Sequence, residues 1–108
     1  MEVEVALEQT RALLRHHVSD ADSMAEVRDS FRYNARHDPR RVRGQLRSLE
    51  AVLATPQLAD ALPRLVGWDA NWALDDVSTE AAAAWLHDLA DLIRSALAEA
   101  EPRPPASI

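Results

Sequence analysis

The residues best equipped for chemistry in this chain fall in one stretch. Gly67-Trp68-Asp69-Ala70-Asn71-Trp72-Ala73-Leu74-Asp75-Asp76 holds two of the three tryptophans together with three carboxylates. Paired carboxylates are the material of acid/base catalysis, but side chains on adjacent residues such as Asp75 and Asp76 diverge, and nothing in the sequence marks a shaped pocket around them. Tryptophan beside carboxylate points instead to recognition: the ring anchors a contact and the anion selects a cationic partner. The expectation is a partner-binding surface carried by Trp68, Asp69, Trp72, Asp75 and Asp76, with Glu80 in support, and no catalytic residue. Trp68 and Trp72 stand four residues apart, a spacing that shares one face on a helix or a strand. Either both rings plug the end of the fold, or one of them meets a partner.

The other chemically suggestive groups are basic residues and histidines. All twelve basic residues are arginine, and their distribution is uneven. Residues 28–47 hold seven arginines against two aspartates, whereas 1–27 hold six acids against two arginines and 48–108 hold ten acids against three. Arg28, Arg32 and Arg36 recur along one side of one helical pattern, and Arg40, Arg43 and Arg47 lie opposite the apolar stripe of the next. Such rows can contact phosphates. They can equally pair with the acidic flanks once the chain is folded. With Phe31 on the apolar side, only Tyr33 is left to interleave with them, and no recognition-helix pattern is present, so a nucleic-acid-associated or regulatory role is the alternative reading. His17 falls on an apolar helix face, while His87, Asp88 and Asp91 make the nearest approach to a metal-ligand set. That set lacks the paired histidines of a zinc motif, so no metal or cofactor is assigned, and a metal- or carboxylate-dependent enzyme is the third reading. The absence of cysteine excludes disulfides, a thiolate nucleophile and cysteine-ligated zinc. Two glycines, Gly44 and Gly67, leave no phosphate-cradling loop.

These groups need elements to position them. With 47% hydrophobic and 28% charged residues, the chain has the balance of one globular domain. Its alanine, leucine, arginine and glutamate favour helix. Apolar spacing predicts a first helix from about Glu2 to His17 and a second from Met24 to about Arg36, after the capping run Ser19-Asp20-Ala21-Asp22-Ser23. Asp38-Pro39 reads as cap and first position of a third helix carrying Val42, Leu46, Leu49 and Leu53. Thr55-Pro56 repeats the device for a short helix over 57–65, interrupted or ended near Pro63. Asp76-Val77-Ser78-Thr79-Glu80 caps the longest pattern, centred on Leu86, Leu89, Ile93 and Leu97, with Trp85 and Leu92 at one edge. The expected architecture is an all-α antiparallel bundle of four to five short helices over residues 1–100, the last helix packed against the first three, followed by a disordered proline-rich tail at 101–108. No secretory signal or membrane span is expected, and the cytoplasm is the default location.

Leu65-Val66-Gly67-Trp68-Asp69-Ala70-Asn71-Trp72, with the acidic helix start that follows, resembles a segment of the small acidic immunity proteins of contact-dependent growth inhibition systems. The resemblance covers about a quarter of the chain, and its aromatic and acidic residues stand as Trp-Asp and Asn-Trp rather than as a contiguous Asp-Trp. It implies a bacterial protein that neutralises a basic toxin domain, docking through Trp68, Trp72, Asp69, Asp75 and Asp76.

Overall fold

Each of the first three helices follows from an apolar stripe, and the second and third also from a side-chain cap. In the computed structural model, which describes residues 2–100, α1 spans Val3–His17 and buries Ala6, Thr10, Leu13, Leu14 and His17. The opening Glu-Val-Glu-Val is therefore helical apart from Glu2, and no strand occurs among the described residues. Helix α2 spans Met24–His37 and buries Val27, Phe31 and Ala35. Its cap is Ser23, whose side chain accepts from the Glu26 amide at 3.3 Å, while the Glu26 carboxylate accepts from the Asp22 amide. This is a capping box displaced by one residue at its return bond. Helix α3, Pro39–Leu53, starts as expected: Asp38 accepts from the Arg41 amide at 3.2 Å, and Pro39 sits where a missing N–H costs nothing.

The fourth segment departs from expectation. A single short helix over 57–65 is replaced by a run of three geometries, a 3-10 turn at Pro56–Ala61, a short α turn, α4, at Leu62–Arg64 and a π turn at Leu65–Asp69. Thr55 does not cap it. Its hydroxyl turns back to donate to the Ala51 carbonyl at 2.6 Å, and the segment begins without a side-chain cap. Pro63 then removes an amide that a regular α-helix would use, which favours changes of pitch around it. Helix α5, Thr79–Ala100, is capped by Ser78, which accepts from the Ala81 amide at 3.1 Å.

Packing centres on α3. It lies against α1, α2 and α5, while α5 packs on α2, α3 and the segment at 56–69. The expectation that α5 packs against all of the first three helices needs correction, because α1 makes its main contacts with α3 and the π turn. Helix α3 takes the contacts on both sides: its Ser48 donates to Gln9 of α1, and its Glu50 binds Arg94 of α5 at 2.9 Å. The proline-rich tail lies outside the described residues.

One polar ring is built into this core. His17 is 5% exposed, stacks on Phe31 with ring centroids 4.0 Å apart, and has Nδ1 2.7 Å from the Ser30 hydroxyl. Burial pushes its pKa down from 6.5 to about 4; the charges of His16 and Arg41 add to this and outweigh the Gln45 side chain, which favours protonation. The folded state thus holds the ring neutral while the unfolded chain protonates it. Its stabilising effect is full above pH 6.5 and is lost as the pH falls toward about 4. Urea denaturation should show this loss as about 3 kcal/mol across the interval. His17→Gln should flatten that part of the profile, and an unchanged slope would show that the ring is not held neutral.

Candidate functional site

The geometry of the Trp-rich stretch is set by which of its residues the core takes. Leu65, Val66, Asp69 and Ala70 are buried, and Gly67 and Trp68, lying between the two pairs, face outward. The wide π pitch is closed by the Ala70 amide donating to Leu65 O at 2.9 Å and by the Trp72 amide donating to Val66 O at 3.0 Å. Asn71 ends the turn in the left-handed region, with φ of 52°, a conformation that asparagine tolerates better than most residues. Its side-chain amide donates to the Ser19 carbonyl at 3.4 Å, tying the turn to the α1–α2 connection.

Asp69 is withdrawn from the surface. It is 3% exposed and accepts from Arg15 Nη2 at 2.9 Å, with Arg11 Nε at 3.9 Å from its second oxygen. The expectation that it faces a partner is corrected: its carboxylate joins the π turn to α1, and both cations come from the helix on which that turn packs. The two tryptophans also separate. Trp68 is 71% exposed, whereas Trp72 is half-buried against the core and pairs with Trp85 at 5.7 Å between ring centroids. Plugging the end of the bundle is the role of Trp72 and not of Trp68. The left-handed Asn71 reverses the chain between the two residues, so the face-sharing rule for regular helices or strands does not apply.

Beyond Asn71 the chain runs without helix or strand to Ser78, with Trp72 and Leu74 half-buried and Ala73 and Asp75 outside. This run and the fourth segment enclose a cleft of about 300 Å³ lined by Pro63, Val66, Trp72, Leu74, Val77 and Ala82. Val77 at its mouth is 77% exposed. Asp75, Asp76 and Glu80 are exposed along the same connector and helix start. Asp76 also accepts from the Ser78 amide at 2.9 Å, an Asx turn that precedes the helix, while the cap of α5 is Ser78 itself. Sequence reading did not single out Val77 or the cleft. The signal was present in Trp72-Ala73-Leu74-Asp75, whose alternation marks a half-buried segment.

The remaining candidates are dispersed. Arg32 is bound bidentately by Glu99 of α5 at 2.8 and 3.1 Å, which puts a carboxylate inside the Arg28, Arg32, Arg36 row. Arg28, Arg36, Arg40 and Arg47 are exposed and make no ion pair among the described residues, and Arg43 also faces solvent. His87, Asp88 and Asp91 are all exposed, and no group of three His, Asp or Glu residues comes together to hold a metal among the described residues. No helix among those residues is long and apolar enough to cross a membrane. Compared with protein-family models, with curated proteins and with solved structures, the chain finds no match.

The Asp69 contacts carry a testable coupling. Replacing both Arg11 and Arg15 by alanine strands a buried carboxylate and should cost about 1.5–3 kcal/mol in denaturant unfolding. Adding Asp69→Asn to that background should recover most of the loss, since the stranded charge disappears. No recovery would mean that the arginines act through packing alone.

Proposed function

We propose that this chain is a protein-binding module whose docking surface is the end of the bundle bearing Trp68. One observation carries the reading: the largest side chain type in the protein is held 71% exposed at Trp68 in a well-defined helical turn, although the chain has only three tryptophans, one tyrosine and one phenylalanine to fill its interior. Exposed tryptophan is the residue most enriched at binding hot spots. Val77 adds apolar surface, and Asp75, Asp76 and Glu80 add negative charge with no arginine between residues 71 and 80. The matching partner presents a basic surface, drawn in by electrostatic steering.

In its specific form, the reading makes this a bacterial immunity protein that covers the basic face of a toxin domain, with Trp68, Trp72, Asp75, Asp76 and Glu80 as the working residues. Trp72 would act by backing the surface from inside. Asp69 would act by holding the π turn. The arginine rows are the rival surface, and Glu99 inside the first row weakens its attraction for phosphate.

Co-expression with a panel of basic toxin domains provides the test. Growth should be rescued by the wild-type chain, and Trp68→Ala should weaken binding about 30-fold or more, the size of a hot-spot truncation, without changing the melting temperature. Full binding by a folded Trp68→Ala variant would overturn the reading. A chain that instead binds DNA or RNA, with affinity falling steeply as salt rises, would favour the arginine rows.

A further inference from the structure

The apolar cleft lined by Gly67 and Trp72 has a size and a charge setting that narrow what enters it. Its volume of about 300 Å³ lies at the small end of the range for ligand sites, ~300–1,000 Å³. That suits one or two side chains better than a folded surface. Pro63, Val66, Trp72, Leu74 and Ala82 offer it carbon, and the indole of Trp72 is fixed from behind by Trp85. The wall is therefore pre-formed and does not have to be assembled on binding. The connector that forms its mouth carries Asp75 and Asp76 between the lining residues Leu74 and Val77, with Glu80 in the first turn of α5. An apolar side chain arriving alone would satisfy the cleft and leave these carboxylates unused. An acidic segment would be repelled by them.

We infer that the cleft receives a large aliphatic side chain from a partner segment in which that residue is neighboured by arginine or lysine. The inference rests on the protein-binding reading and specifies its anchor. Burying a leucine side chain in the cleft supplies the short-range attraction, and the neighbouring cations meet Asp75, Asp76 and Glu80 at the rim. Gly67 lines the same cleft, and a Cβ added there meets no atom within 4 Å, so a larger side chain at this position fits beside the cleft without a clash.

The experiment uses the full chain and synthetic peptides, with binding followed by calorimetry at low salt. The probes are Arg-Arg-Leu-Arg-Arg, its Leu→Ser version, and a version with each arginine replaced by glutamate. The leucine peptide should bind. Serine in place of leucine should weaken it by about 10- to 100-fold, the range expected from loss of one buried leucine side chain, and the glutamate peptide should not bind. Gly67→Phe should block the leucine peptide, and Val77→Asp, in an exposed loop position, should weaken it if the glycine variant fails to fold. Equal binding of the leucine and serine peptides, or unchanged binding by both folded variants, would overturn the inference. So would self-association of the chain that Gly67→Phe abolishes, because the occupant would then be a second copy. If Trp68→Ala loses the protein partner while Gly67→Phe and Val77→Asp keep it, the cleft fails as the anchor site and the binding surface stands. If all three keep it, both readings fall.

Discussion

The buried carboxylate of Asp69, held by Arg15, is the constraint on which the arrangement of this end of the protein depends. A carboxylate taken out of water must keep a cationic or hydrogen-bonding partner, and here the nearest ones lie on α1. Its position on the inner face of the π turn fixes the turn's rotation against α1. With Leu65, Val66 and Ala70 also facing in, Trp68 has no place in the interior. An energetically demanding contact inside thus sets an exposed ring outside. The buried positions 65, 66, 69 and 70 keep the spacing of one helical face, and Gly67 and Trp68 take the opposite one.

The rest of the fold supplies the frame. Helix α3 gathers α1, α2 and α5, and Asp38-Pro39 sets its start directly after α2. The π turn leans on α1, and the connector runs back along α5, where Trp85 meets Trp72. Charge follows the same logic. Glu99 of the acidic C-terminal stretch binds Arg32 of the basic middle, and within the C-terminal stretch Glu50 binds Arg94, so ion pairs join α2 and α3 to α5. These exposed pairs contribute modestly to stability, but their pattern favours the observed packing over alternatives.

Much of this was legible in the residues, and the exceptions have physical causes. The all-α class, the boundaries of α1, α2 and α3, and the caps at Ser23, Asp38 and Ser78 follow from periodicity and short-range hydrogen bonding, which a sequence displays directly. Asp69 reads from the sequence as a surface anion because an aspartate in a connector is ordinarily exposed, and its burial depends on Arg15, 54 residues earlier in the chain. Thr55 was misread because a hydroxyl can serve the helix behind it as well as the one ahead. The cleft was invisible because it arises where Pro63 and Val66 meet Leu74 and Val77, a juxtaposition created by the π turn and the left-handed Asn71 rather than by any motif.

The exposure of Trp68 while Trp72 and Trp85 remain packed is the claim on which the functional account rests. Tryptophan fluorescence of the Trp72→Phe/Trp85→Phe variant, in which Trp68 is the sole emitter, measures it directly. The account predicts emission resembling that of a solvated indole, freely quenched by acrylamide under native conditions and changed little on unfolding. Blue-shifted, quencher-protected emission that moves to the red on unfolding would contradict it.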